Sequence, residues 1–278
     1  MANNLNIDDE LGFIQTNIDN ATSTEPIVHL QSHLIRLFSQ DPNITTLIIN
    51  ADAVPLPLEY LTLAYETYYD FIEHNDEIDT EDMDENEILR INFYRQINEL
   101  GQHGGLLADE SEGVLSRIGK QISSCLNLMH IIIDGNGTWM SDDDLHYFFE
   151  ELRPPNTVTL TFRNCRFDSD NSTALISILG LSQVSNLIMS DCFFAEHGAD
   201  ILIENEGNLN QYTSITMSHC TFHRTNGHNS EDINLANYIA GSEGIQELRF
   251  NRCNLLPIAV MILNNITVDG NIIAQIQN

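Results

Sequence analysis

Lysine is all but missing from this chain. Lys120 is the single lysine among 278 residues, and ten arginines bring the bases to 11 against 41 acids. The resulting formal charge of −30 repels phosphate at long range, so neither a nucleic acid nor an anionic lipid surface is expected as a partner. Long apolar runs are missing too. No stretch approaches the ~18 residues of a membrane span, and the opening MANNLNIDDE carries neither a basic region nor a hydrophobic signal core, so no membrane is expected. Cysteine is scarce and odd in number, at 125, 165, 192, 220 and 253. In a chain of this size that argues against a disulfide framework and for a reducing, cytoplasmic compartment. No nucleophile elbow, P-loop, dinucleotide fingerprint or zinc-protease helix occurs, so no catalytic residue and no cofactor are expected.

What is present is acidic and folded. Hydrophobic residues make up 42% and are spread over the whole length, which excludes global disorder. The charge is uneven: residues 1–152 hold 29 acids and 5 bases, whereas 153–278 hold 12 acids and 6 bases. Within the acidic half, nine carboxylates between Glu73 and Glu87 have no ordered ligand spacing and no glycine. They read as a solvated insertion rather than a cation site.

Four segments align on their cysteines. They are Leu160-Thr-Phe162-Arg-Asn-Cys165-Arg-Phe167, Leu187-Ile-Met189-Ser-Asp-Cys192-Phe-Phe194, Ile215-Thr-Met217-Ser-His-Cys220-Thr-Phe222 and Leu248-Arg-Phe250-Asn-Arg-Cys253-Asn-Leu255. The cysteines lie 27, 28 and 33 residues apart. Ile131-Ile-Ile133-Asp-Gly-Asn136 and Ile266-Thr-Val268-Asp-Gly-Asn271 continue the pattern with Asn in the cysteine slot. Alternating apolar residues predict a short strand with one buried face, and the slot residue points inward where the backbone turns away. The rest of each period reads as a helix: Ser141 capping 142–152, Asn171 opening a helix with Leu175, Ile178 and Leu179, then residues 198–205 and 231–240. One strand–helix unit cannot bury its apolar face alone, but stacked units share a continuous core.

These residues resemble the leucine-rich repeat family, with its L-x-x-L-x-L-x-x-N/C-x-L pattern, and the period near 28 is similar to the ribonuclease-inhibitor-like class. The resemblance covers about residues 128–273. It implies an α/β fold: a horseshoe solenoid with a parallel concave sheet, convex helices and an N-terminal helical cap. The expected organisation is a helical cap over residues 1–46, irregular repeats over 47–127 with the acidic insertion at 73–87, and regular repeats over 128–278. In the irregular part, 47–54 reads as a strand with Asp52 in the slot, 57–73 as a helix, Leu89-Arg-Ile91 as another strand and 106–124 as a helix. Asn136, Cys165, Cys192, Cys220, Cys253 and Asn271 form the expected structural ladder.

Metal-like groupings dissolve under this pattern. His219, Cys220, His223 and His228 would not converge, because the cysteine faces inward and His219 the other way. Asp134-Gly-Asn136-Gly-Thr138 lacks the later ligands of a calcium loop, with Trp139 and Leu145 where Gly and Glu belong. No metal is expected.

Residues alternating with the buried ones face outward from the sheet. They are Thr159, Thr161 and Arg163; Asn186, Ile188 and Ser190; Ser214, Thr216 and Ser218; Glu247, Arg249 and Asn251. His130, Ile132 and Asp134 continue the row, and Arg252 stands beside it. The expected function is a non-enzymatic scaffold that binds another protein, one with a basic surface, through this face, with Arg163, Arg249 and Arg252 as anchors. Irregular repeats rich in Asn and Ile are similar to effectors that pathogenic bacteria inject into a host cytoplasm. The alternative is an enzyme or ubiquitin-ligase adaptor, since Leu56-Pro-Leu-Glu-Tyr-Leu is distantly similar to the opening of an F-box, although the rest of that pattern is missing.

Overall fold

Alternating burial turns each of the aligned segments into a strand. In the computed structural model the described residues are 23–29, 41–50, 119–120, 122–135, 144–168, 173–203, 211–224, 230–242, 244–268 and 273–277. Among them the long strands are β1 (Ile27–His29), β2 (Thr46–Asn50), β3 (His130–Asp134), β4 (Val158–Arg163), β6 (Val184–Ser190), β8 (Ser214–Ser218), β10 (Glu247–Asn251) and β11 (Ile273–Gln277). They form one eight-stranded sheet in that order, with every neighbouring pair parallel. Two-residue strands β5 (Arg166–Phe167), β7 (Phe193–Phe194) and β9 (Thr221–Phe222) make a second parallel sheet just beyond the first. The helices are α1 (Asp144–Glu151), α2 (Thr173–Leu179), α3 (Asp200–Ile203), α4 (Glu231–Ala240) and α5 (Pro257–Val268). The protein is therefore an α/β fold built on a parallel sheet.

Equivalent positions coincide across the sheet. Leu160, Leu187, Ile215 and Leu248 are register partners in turn, as are Phe162, Met189, Met217 and Phe250, and all are buried. Past the strand ends, Phe167, Phe194 and Phe222 stack face to face, with centroids 4.9 and 4.8 Å apart and planes within 12° and 8° of parallel. Strand spacing fixes that separation, since parallel neighbours stand ~4.8 Å apart. Phe162 closes the stack edge-on against Phe167 at 5.5 Å.

The four aligned cysteines are buried and unpaired covalently. Each thiol reaches a carbonyl of the strand before it: Cys165 to Ile133 at 3.7 Å, Cys192 to Phe162 at 3.6 Å, and Cys220 to Met189 and Cys253 to Met217 at 3.5 Å. Each also reaches the carbonyl two residues back in its own chain, from 3.3 Å for Cys165 and Cys192 to 3.6 Å for Cys220 and Cys253. The contact of Cys165 with Ile133 shows that β3 presents the same strand carbonyl as Phe162, Met189 and Met217 do in theirs. Asn136, expected in the slot after β3, lies outside the described residues.

Two buried acids tie units together on the helix side. Glu231 accepts the backbone N–H of His197 at 3.0 Å through one oxygen and that of Ala199 at 3.1 Å through the other. Asp232 accepts the N–H of Leu256 at 2.5 Å and the hydroxyl of buried Ser230. The first turn of α4 thereby satisfies peptide groups in the unit before it and the unit after it, where uncompensated burial costs ~1–3 kcal/mol per group.

Two expectations are corrected. Ile27–His29 is a strand within the helical cap expected over 1–46, and Thr46 opens β2; a run of three residues is too short for either periodicity to register. β2 is hydrogen-bonded directly to β3, with Leu47 opposite Ile131, and Leu89-Arg-Ile91, expected as a further strand, lies outside the described residues. Ile266 and Val268 lie in α5 rather than in a strand, and β11 begins at Ile273. Pro257 pre-sets the first turn of that helix, and Ala259 and Leu263 bury one stripe of it, which overrides a three-residue alternation. Residues 57–73 and 73–87, the F-box-like segment and Asn271 itself lie outside the described residues. Residues 119, 120 and 122 are helical, where the end of the 106–124 helix was expected.

Phe194→Ala is expected to cost ~3–5 kcal/mol in urea unfolding, because both stacking partners lose contact over a cavity. Phe193→Ala, on the half-exposed face under the Arg166 guanidinium, should cost under ~1.5 kcal/mol by the same measurement, the scale of one cation–π contact plus partial burial.

The thiols set the alkaline limit. Contact with the neighbouring thiol, together with burial, pushes Cys192 and Cys220 up to about 12, and burial pushes Cys125 up to about 11. Cys165, at the start of the row, is shifted the other way by the hydrogen bond from Cys192. An unfolded thiol titrates near ~8.5, so above that pH the unfolded chain releases protons that the native ladder retains. The contribution of Cys192 and Cys220 to stability is thus complete below about pH 8.5 and is lost as pH climbs towards about 12, with buried Tyr212, also shifted up, acting in the same direction. Urea midpoints measured from pH 8 to 11 should decline, and Cys192→Ala should flatten the decline.

Candidate functional site

The outward side chains of the sheet fall into rows because the strands are in register. One row runs Thr46, His130, Thr159, Asn186, Ser214 and Glu247. The middle row runs Ile48, Ile132, Thr161, Ile188, Thr216 and Arg249, and the third runs Asn50, Asp134, Arg163, Ser190, Ser218 and Asn251. All twelve residues named from the four central segments therefore stand on one face. Ile48 is nine-tenths covered, Arg249 is exposed, and the residues between them in the middle row are half-buried. From β3 to β10 the face spans about 20 Å at ~4.8 Å per strand.

Arg252 is not in these rows. It occupies the turn residue before Cys253, and the same position holds Asn164, Asp191 and His219 before the other ladder cysteines. All four have left-handed backbone, with φ of 54, 55, 55 and 53° in chain order. The turn serves the ladder. Left-handed backbone lets the N–H of Asn164 reach Ser190, that of Asp191 reach Ser218 and that of His219 reach Asn251 across the sheet, at 2.9–3.0 Å. It also swings the next residue, the cysteine, into the core. Asn, Asp and His are enriched in this conformation and carry a weak local signal for it in the sequence; Arg carries none.

Charged groups on the face neutralise one another. Arg163 donates to Asp134 through Nη2 at 2.7 Å and Nε at 2.9 Å, and Asn164 adds a bond to the other carboxylate oxygen at 3.3 Å. Arg249 pairs with Glu247 of its own strand. Asp191 accepts from the Ser190 hydroxyl at 3.0 Å and lies 3.9 Å from the His219 ring. Asn186 bonds Thr159 at 3.5 Å, and Asn251 bonds Ser218 at 3.4 Å. Two of the three arginines expected as anchors, Arg163 and Arg249, are thus held by intramolecular carboxylates, and a partner would have to compete for them. Such half-exposed pairs contribute ~0–1 kcal/mol to stability, so that competition is cheap.

Among the described residues of the histidine–cysteine grouping, Cys220 and His219 face apart. Cys220 is buried with its thiol on main-chain carbonyls, His219 is exposed on the turn, and His228 lies outside the described residues. Among the described residues no group of three or more His, Cys, Asp or Glu is arranged to hold a metal ion. Also among them, no helix is long and apolar enough to cross a membrane.

Compared with known proteins, the chain matches no family model and no curated protein.

Sequence reasoning missed the left-handed turn row and the clasping by Glu231 and Asp232. Two acids at a helix start ordinarily signal favourable dipole placement, which gives no hint that their oxygens bond neighbouring units.

The turn row makes a direct test. A non-glycine residue in left-handed backbone costs ~1–2 kcal/mol, and glycine's extra freedom in the unfolded chain returns ~0.4–1 kcal/mol of that. His219→Gly should therefore leave the urea midpoint unchanged or raise it, whereas His219→Val, branched at Cβ, should lower stability by ~1–2 kcal/mol.

Proposed function

We propose that this chain is a non-enzymatic, protein-binding scaffold of the leucine-rich repeat kind, of ribonuclease-inhibitor-like period, and that it engages another protein through the outward face of its parallel sheet. The observation that carries the reading is the register: five strands from β3 to β10 present matched rows of Thr, Ser, Asn, Ile and paired charges. Such a face is held rigid by the core beneath it, so little side-chain freedom is lost on docking. Its ~20 Å width, with a comparable length along the strands, is on the scale of the ~800 Å² that one partner contributes to a standard interface. The same register, together with the sequence period, supports the solenoid reading, in which the sheet lines the hollow and the helices the outside. The formal charge of −30 favours a basic partner and quickens its approach in a salt-dependent way. Reduced, buried thiols accord with work in a cytoplasm, the protein's own or a host's.

The experiment is site-specific photo-cross-linking. A benzophenone amino acid placed at Thr161 or Thr216 should give discrete protein adducts in a cytoplasmic extract, while one placed at Glu196, on the far side of the ladder, should not. Equal labelling from all three positions overturns the reading.

A further inference from the structure

The middle row differs in chemistry from the rows beside it. Ile132 and Ile188 are its half-buried aliphatic residues, Thr161 and Thr216 alternate with them, and Ile48 closes one end. The flanking rows carry hydroxyls, amides, His130 and ion pairs. A methyl-bearing stripe therefore crosses the strands, about 19 Å from Ile48 to Thr216 at ~4.8 Å per strand.

We propose that the partner element seated on this stripe is an amphipathic α-helix with basic flanks, lying across the strands. This rests on the reading of the face as a protein-binding surface and names what that surface takes. Spacing selects the helix. One turn advances ~5.4 Å, so its apolar stripe drifts from the row by ~0.6 Å per strand and by under ~2 Å across three intervals. An extended segment repeats its side chains on one face every ~6.8 Å, so with one residue seated over Ile132 the next two fall ~2.8 Å short of Ile188 and ~4 Å beyond it. About 13 residues of helix cover the stripe at ~1.5 Å each. Ile132 and Ile188 are ~9.6 Å apart, close to the ~10.5 Å that separates positions i and i+7 on a helix.

Charge selects the flanks. The side of the stripe nearer the strand ends carries Asp134 and Asp191, the latter 54% exposed, while Arg163 between them is already bound to Asp134. With 30 net negative charges on the whole chain, an acidic helix is repelled before contact, whereas Lys or Arg along that flank would meet carboxylates.

The test is a selection on the full-length chain. A display library of random 16-residue peptides is enriched for binders at raised salt and counter-selected against the Ile132→Asp/Ile188→Asp double variant, whose melting is first matched to the parent. A second variant, Thr161→Arg/Thr216→Arg, serves if the first is unstable. The expected winners carry apolar residues at i, i+3 or i+4, and i+7 with Lys or Arg beside them, and they become helical by NMR on binding. Their affinity drops at least tenfold with Ile188→Asp and stays within twofold with Met261→Asp, an exposed apolar position on α5 remote from the face. Winners that depend on the face but bind extended, or are acidic, overturn the helix inference and leave the face reading standing. If every winner binds the double variant as well as the parent, the face reading fails, and the helix inference with it.

Discussion

Parallel pairing without slippage is the constraint on which everything else in this structure depends. Because Leu160, Leu187, Ile215 and Leu248 stand opposite one another, whatever follows them at a fixed offset must also stack. A cysteine five residues on thus meets a cysteine, and an aromatic two further meets an aromatic. A shift of one residue in any strand would send its apolar set to the outward face and break both stacks at once. The stacks therefore enforce register as much as they fill space: the phenylalanines contribute burial of ~2–3 kcal/mol each, while the small thiols fit beneath the turn and leave no carbonyl pointing at emptiness.

The left-handed turns follow from the same constraint. A chain that must leave the sheet immediately after Arg163, Ser190, Ser218 or Asn251 and still direct the second residue inward needs one residue of reversed twist. All four units place it at the same point, with four different side chains. At His219 the cross-sheet hydrogen bond to Asn251 and the buried cysteine outweigh the cost of that twist, and at bulky Arg252 the buried cysteine is set against it. On the helix side, among the described residues, α4 packs on α5 and α1 on α2, and Glu231 and Asp232 add hydrogen bonds that tie one unit to the next.

The legibility of the sequence followed these physical differences. Where a strand is short and its neighbours repeat it, as at Leu160–Phe167 and its three successors, alternation plus a fixed cysteine located strand, slot and stack. All twelve outward residues of those segments came out on one face for the same reason, since side-chain direction in a strand follows from parity alone. The method failed where parity was the only signal. Ile266-Thr-Val268 alternates just as well, yet it ends a helix whose start, Pro257, lay nine residues upstream. Edge strand β1 is three residues long, too short for any pattern. Ion pairing on the face was equally hidden, because which carboxylate meets Arg163 is decided by register 29 residues away and not by its own neighbours.

This last point bears on how an acidic protein can present a usable docking face. A surface that shared the chain's overall charge would bind any cation and distinguish none. Here the charges on the sheet are matched, Arg163 with Asp134 and Arg249 with Glu247, so the face is close to neutral while the molecule as a whole is strongly negative. Field and contact are thus separated. The field acts over a Debye length of ~8 Å and beyond, accelerating encounter without regard to sequence. Contact selects by shape, by two isoleucines and by hydroxyls that accept or donate as required. Because each arginine already has a carboxylate, a docking partner that supplies its own cation to Asp134 releases Arg163 instead of leaving a buried charge unpaired. Exchange of one half-exposed pair for another is nearly neutral in free energy, which places discrimination in the apolar stripe between them.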